Sequence, residues 1–262
     1  MPWSRVQVTG GMPEATPPDD RAVRAITDSI DASRARRPED IEDPSVPVAA
    51  TVVILRDSAR GPEVLMMERP DRGSFAGAWV FPGGRIESVD VMGPDDPEPV
   101  VARRAGVRET FEEVGLALDP ADLLTMSRWD PPPGIALRIR TWFFAARAVE
   151  AEIVLAADEA VDAQWVRPEA VLQRHAQGEI MLYPPTWVTL HNLAGQDDVD
   201  AVLSVVRLRG VEEFQTVATR TAEGTVLLWH GDADYAEFGA GEASARHRLE
   251  TGSLPWRYLR TD

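Results

Sequence analysis

The run Arg108-Glu109-Thr110-Phe111-Glu112-Glu113-Val114-Gly115-Leu116 constrains this chain more than any other stretch. It closes a segment with helical character that begins near Pro97. Proline suits a first helical turn, and Gly115 suits a helix stop. At about 100° per residue, with Val107 at zero, Phe111 falls at about 40° and Val114 at about −20°. These three residues are expected to form an apolar stripe against the core. Glu109, Glu112 and Glu113 fall on the opposite side, within roughly one 100° arc. A plain amphipathic helix with a solvated acidic face shows the same pattern, but local stability does not favour this one. Like charges four residues apart cost about a few tenths of a kcal/mol, and glutamates near a helix C-terminus oppose the macrodipole. Carboxylates gathered in this way suit a hard divalent cation, which prefers oxygen ligands. Arg108 can orient one of these carboxylates by a charge-assisted hydrogen bond, or simply pair with Glu112 one turn on.

Around this segment the chain reads as alternating strands and helices. Val48 to Leu55 is a β-branched run typical of a buried strand. Glu63 to Met67 and Ala78 to Phe81 read as further strands, the latter broken by Pro82-Gly83-Gly84. Ser88 to Pro97 reads as a loop. Beyond the helix, Ala136 to Val149 reads as a long strand and Ala163 to Val166 as a short one. Pro168 to Ala176, Pro185 to Leu193 and Val199 to Leu208 read as helices. Phe214 to Thr219 and Thr225 to Trp229 flank Ala222-Glu223-Gly224 and read as a hairpin. The piece ending at Trp256 and Tyr258 resists assignment. These elements predict an α/β fold with a mixed sheet and helices on both faces. Residues 1–45 are expected to be an N-terminal extension, partly helical over Arg21 to Arg37 or mobile, with Arg36 and Arg37 solvated. Residues 46–196 form the main domain. Residues 197–262 form a helical and hairpin extension packed on it.

Composition limits the environment. The formal net charge of −16 disfavours long nucleic acid, and an anionic substrate would need local neutralisation of nearby carboxylates. No cysteine is present, so disulfides and thiolate metal sites are excluded. No apolar run reaches about 18 residues, so no membrane span is expected. The first 20 residues lack the apolar region of a secretory signal, and a cytoplasmic protein is expected.

Gly84 to Leu116 resembles the box of the Nudix hydrolase family. That pattern is a glycine, five residues, an acid, seven residues, then Arg-Glu, a bulky apolar residue, any residue, Glu-Glu, any residue, Gly and a bulky apolar residue. Gly84 supplies the glycine and Asp90 stands at the acidic position, where the family usually has Glu. Arg108 to Leu116 match the second half, with Thr110 where a bulky residue is usual. Between Asp90 and Arg108 lie 17 residues, ten more than the pattern has. The insertion falls before the helix, so helical register survives. Together with Glu68-Arg69-Pro70-Asp71-Arg72-Gly73, Phe81 to Glu87 and Leu182 to Leu190, the lengthened box resembles the coenzyme A diphosphatase-like subgroup. A second signature of coenzyme A diphosphatases is met only in part, by Leu65, Arg69, Gly77 and Phe81 to Gly84.

The resemblance implies an α/β/α sandwich and metal-dependent cleavage of a diphosphate bond in a nucleoside diphosphate-linked small molecule, with coenzyme A or acyl-CoA as the narrower expectation. Hydrolysis of ADP-ribose, NADH or nucleoside triphosphates is the alternative within the enzyme class. A non-catalytic Nudix ligand sensor is a second class, although such proteins tend to lose box carboxylates and Glu109, Glu112 and Glu113 are all present here. Removal of a short capped RNA end is a third. The resemblance implies Mg²⁺ or Mn²⁺ held by Glu109, Glu112 and Glu113, with Glu159 joining from a later loop. It implies catalytic roles for Glu109, Arg108 and Glu112, Glu109 being either a ligand or the general base. A homodimer is common in the family. Gly83 and Gly84 suit close approach of backbone to phosphate, or a tight turn. Arg69 and Arg85 flank them as candidate phosphate contacts. Arg138 and Arg140 share a strand face that is either solvated or part of the cleft. Tyr183 to Trp187 is either an aromatic platform or a core corner. His175, His191, His230 and His247 lack metal-ligand spacing and receive no role.

Overall fold

In a computed structural model of the chain, which describes residues 32–72, 75–135, 138–156, 160–235 and 244–261, strand β1 (Val48–Ser58) occupies the centre of a mixed sheet. Its unbroken apolar run is explained by burial on both faces. Ala50, Val52 and Ile54 face one hydrophobic cluster, while Val53 and Leu55 face another. β1 pairs in parallel with β6 (Arg140–Arg147) along its length. On its other side it pairs antiparallel with β4 (Gly83–Arg85) near its start and with β2 (Gly61–Glu68) near its end. β2 carries β3 (Trp79–Val80) and β7 (Asp162–Val166). β5 (Leu124–Asp130) joins β6 antiparallel, and β8 (Glu212–Gln215) joins β5 in parallel.

Helices cover both faces. Helix α1 (Glu98–Val114) packs through Ala102, Ala105 and Val114 on Ala50, Val52, Ile54 and Phe144. The other face is covered by α2 (Pro168–Ala176), α3 (Pro184–Leu193) and α4 (Val199–Arg209), which contribute Val171, Val188, Leu190 and Val202. This is the α/β/α sandwich expected from the sequence. Each helix of the second layer has its start marked in the sequence: proline in the first turn of α2 and α3, and Asp198 accepting the Ala201 amide at the start of α4. Trp187 is buried in this layer, so the segment from Tyr183 to Trp187 is mainly a core corner and only Tyr183 reaches the surface in part. His175, also buried, lies edge-on to Trp256, and burial pushes its imidazole pKa down to about 4.

The termini differ from expectation. The C-terminal piece is a second, four-stranded antiparallel sheet of β9 (Val217–Thr221), β10 (Gly224–Leu228), β11 (His247–Glu250) and β12 (Arg257–Arg260). The expected strand from Phe214 to Thr219 is split at Thr216. Its first part joins the main sheet as β8 and its second part forms the hairpin β9–β10. The stack of Trp129 on Phe214, at 3.9 Å between ring centroids, ties this region to β5. β5 itself carries little alternation and was not expected as a strand.

At the other end, residues 32–45 carry no α-helix. They contain one short 3-10 turn, Pro38–Asp40, and the rest of the expected helix over Arg21 to Arg37 lies outside the described residues. Arg36 is buried rather than solvated, and its guanidinium donates to the carbonyls of Asp130 and Pro131. Arg138 and Arg140 line neither solvent nor a cleft. Arg138 donates to the Asp40 carbonyl, and Arg140 is ion-paired with Asp130 and Glu98. The arm is therefore fixed by charges that only the folded sheet brings to it.

Candidate active site

Helix α1 is rotated relative to the amphipathic reading. Phe111 is 58% exposed and Thr110 is fully buried, so Phe111 does not belong to a core stripe. The face that meets the sheet carries Ala102, Ala105, Gly106, Thr110 and Glu113. Small residues bring the helix axis close to the sheet, and a Cβ on Gly106 would press on Val52. The close approach places Glu109 and Glu113 against the backbone of β4, while Glu112 lies further round and is exposed. The three carboxylates thus come from one and a half turns of one helix, but they do not point the same way.

Gly83 and Gly84 explain the contact. The Gly83 amide donates to Glu113 Oε2 at 2.8 Å. Gly83 has φ of +153°, and a Cβ there would collide with the backbone of Ala50 and Thr51. At Gly84 the constraint is space, because a Cβ would overlap the carboxyl group of Glu109. The two glycines therefore act first as seats for two glutamates. Burial raises the Glu109 carboxyl pKa, and the adjacent Arg108 guanidinium opposes that shift. The other end of α1 stops at Gly115, whose left-handed φ of 74° lets its amide bond back to Phe111.

Arg108 joins these groups. Its Nε and Nη2 hold the two oxygens of Asp90 at 3.0 and 2.9 Å. Its Nη1 reaches Glu109 at 2.9 Å and Glu112 at 3.0 Å, and Nη2 also donates to the Arg85 carbonyl. Asp90, the acid displaced in sequence by the insertion, is buried and also accepts the Glu87 amide. These carboxylates push the guanidinium pKa further up. Asp90 therefore meets Arg108 despite the ten extra residues between them. It acts as the anchor of Arg108, with a Glu87–Asp90 turn fixing it.

The remaining candidates divide. Arg69 lies 3.7 Å from Glu113 Oε1, beside the carboxylates. Arg85 is exposed, and only its backbone carbonyl touches the cluster. Glu159 lies outside the described residues. Among the described residues no three acidic or imidazole groups stand close enough to form a ready-made cation site. Glu112 is turned to Arg108 instead. The donor set is nonetheless all carboxylate oxygen, the type a hard divalent cation takes. The cavity lined by Trp129, Asn192, Val206 and Phe214 lies on the other face of the sheet, away from these groups.

A family model described as the NUDIX domain matches residues 46–184. Among solved structures, a NUDIX hydrolase from Alicyclobacillus acidocaldarius aligns over 61% of this chain and 96% of its own, at 24% identity and a TM-score of 0.55. That likeness establishes the fold. The NUDIX domain of Shewanella oneidensis NrtR, solved with ADP ribose, aligns over 60% and 90% at 15% identity with a TM-score of 0.45. A C. elegans Ap4A hydrolase aligns over 60% and 98% at 19% identity with a TM-score of 0.38. No curated protein sequence matches the chain. No helix among the described residues is long and apolar enough to cross a membrane.

Proposed function

The chain belongs to the Nudix family of pyrophosphohydrolases, and on that premise we propose that it hydrolyses the diphosphate bond of a coenzyme A-type compound at Glu109, Glu112 and Glu113 of α1. The observation that supports this location for the chemistry is the seating of Glu113 on the Gly83 amide and of Glu109 on Gly84, with Arg108 linking Glu109, Glu112 and Asp90. Core packing alone does not call for a charged pair of glutamates between a helix and a sheet.

Glu112 and Glu113 are assigned as ligands of a divalent cation, Mg²⁺ or Mn²⁺, with Glu109 as a further ligand or as the group that takes the proton from the attacking water. When bound, the cation supplies charge neutralisation and Lewis acidity at the diphosphate. Arg108 fixes Glu109 and keeps Glu112 within reach, and its own position is fixed by both oxygens of Asp90. Arg69, beside Glu113, is placed to bind a phosphate oxygen once that carboxylate is occupied by the cation. The narrower choice of a coenzyme A-type substrate rests on the resemblance carried by Glu68 to Glu87 and Leu182 to Leu190. The net charge of −16 favours a small substrate over a long nucleic acid.

The test is turnover of coenzyme A, acetyl-CoA, NADH, ADP-ribose, diadenosine polyphosphates and nucleoside triphosphates by the full chain with Mg²⁺ or Mn²⁺. Release of 3',5'-ADP from coenzyme A is the expected result. Glu112→Gln and Glu113→Gln are each expected to lower it by about 100-fold or more with the fold retained. Cleavage of another member of the panel instead would discard the coenzyme A assignment. Unchanged turnover in both variants would refute the site.

A further inference from the structure

We infer that Arg104 and Asp96 form a clasp that positions Asp90, and through it Arg108, for the carboxylate site of α1. The inference rests on the reading of those carboxylates as the diphosphate site, and it adds two positioning residues that belong to the lengthened segment between Asp90 and Arg108. The stretch from Ser88 to Pro97 buries little of itself. Asp90 is its one buried residue, and Val89, Val91 and Met92 are 65%, 48% and 79% exposed. Apolar burial, a common restraint on a loop, is thus almost missing here, and polar contacts have to supply the order. A longer free loop also raises the entropic cost of bringing Asp90 back to Arg108, which a tie inside the loop offsets.

One nitrogen closes the loop. Arg104 Nη1 donates to Asp96 Oδ2 at 2.6 Å and to the Asp90 carbonyl at 3.1 Å. The same Asp96 oxygen accepts the Met92 and Gly93 amides at 3.1 and 3.0 Å, and the Asp96 amide donates to the Gly93 carbonyl. The hydrogen bond from Arg104 holds the Asp96 carboxyl below the usual aspartate range, so the pair stays ionised at neutral pH. Arg104 stands four residues before Arg108, and the two side chains leave the same side of α1 one turn apart. Between them they grip Asp90 at both ends, Arg104 at its carbonyl and Arg108 at its two carboxylate oxygens. Arg108 carries that position on to Glu109 and Glu112. The clasp side chains are 23% and 22% exposed, and an ion pair so open to solvent adds little to stability. Its consequence is the orientation of Asp90, two contacts away from the site carboxylates.

The experiment follows exchange of the Arg108 Nε proton with water by NMR of the full chain, with the resonance assigned by its loss in Arg108→Lys. Mn²⁺ affinity is read beside it by electron paramagnetic resonance. Arg104→Ala is expected to speed the exchange and to weaken Mn²⁺ binding, each by about tenfold, with an unfolding midpoint close to wild type. Arg104→Lys is expected to recover part of both. Asp96→Asn, which keeps the arginine and the size of the side chain, is expected to act in the same direction as Arg104→Ala. Asp90→Asn is expected to resemble Arg104→Ala and to add little when the two are combined, because both act through one contact. Unchanged exchange in Arg104→Ala and Asp96→Asn, or effects that add in full in the double variant, overturns the inference. Changes that only track a lowered unfolding midpoint overturn it as well. A wild type that binds no Mn²⁺ and cuts no diphosphate counts against the carboxylate reading alone, since proton exchange at Arg108 is read without either.

Discussion

Arg140 and Arg108 both gather carboxylates, and the company they keep differs. Arg140 is 3% exposed. It bonds Asp130 at 2.9 Å, Glu98 at 2.9 Å and the Ile41 carbonyl at 3.0 Å, which joins the N-terminal arm, the start of α1 and the β5–β6 edge. Arg128 approaches the second oxygen of Asp130 at 3.0 Å. Arg108 also holds a buried aspartate, but one of its other partners, Glu112, has a side chain that is 55% exposed. Arg140 and Asp130 are both almost fully buried, with Glu98 the more exposed partner of Arg140 at 33%, so releasing the charge of Asp130 strands the guanidinium beside it. A network with one solvent-facing carboxylate can exchange that partner for a ligand at small cost. The two hubs therefore separate a structural lock from a site that is organised and still open.

The comparison can be broken most severely at Asp130. Asp130→Ala leaves Arg140 and Arg128 without their shared carboxylate, and a loss of about 3–5 kcal/mol is expected from the shift in denaturant midpoint. A loss below about 1 kcal/mol would mean that the arm is held by something other than this network. At the Arg108 hub the corresponding change is Gly84→Ala. Its methyl displaces the Glu109 carboxyl group, so turnover is expected to fall by about 100-fold while the melting temperature changes little. Equal stability losses at the two positions would erase the distinction.

A smaller effect sharpens it through pH. The folded Glu109 pKa lies above its unfolded value, so its contribution to stability is fully present below the unfolded pKa and is lost as pH rises through the folded one. Glu109→Gln is thus expected to be slightly more stable than wild type at neutral pH, with the gap closing as pH falls toward the ordinary glutamate range. Thermal melts between those limits check the sign. Asp40 behaves in the opposite sense. The Arg34 guanidinium lowers its pKa, so its contribution is present above the ordinary aspartate range and fades as pH falls below it. The smallest effect is expected at Arg37, whose side chain is 65% exposed and 3.9 Å from Glu39. Arg37→Ala should change stability by less than about 0.5 kcal/mol, measured by the same denaturant titration.

Much of the fold was legible because its signals are local. The apolar run of β1, the prolines that open α2 and α3, and the Gly115 stop each follow from backbone preferences of a few residues. β5 was not legible. Leu124 to Asp130 mixes apolar residues with Ser127, Arg128 and Asp130, and those polar groups are buried because distant partners meet them. Among the described residues β11 pairs with β10 and β12 with β11, so their identity depends on contacts with a strand about 20 residues away. The acidic helix shows both cases. Its periodicity placed the glutamates together opposite a core stripe that included Phe111, whereas Glu113 is buried and Phe111 is exposed.

The sequence by itself determined the helix, the three glutamates at its C-terminal end, the two glycines after β3 and the family they resemble, because each depends on residue identity at short spacing. Only the tertiary structure decided which face of α1 meets the sheet. Small residues at Ala102, Ala105 and Gly106 let the helix approach so closely that Glu109 and Glu113 reach the β4 backbone, while the larger Phe111 is left outside. The structure also returned Asp90 to Arg108 across the ten-residue insertion and turned Arg36 and Arg140 inward. In each case the deciding energy is the desolvation of a charge against the partner that offsets it, and the partner is supplied by a different part of the chain.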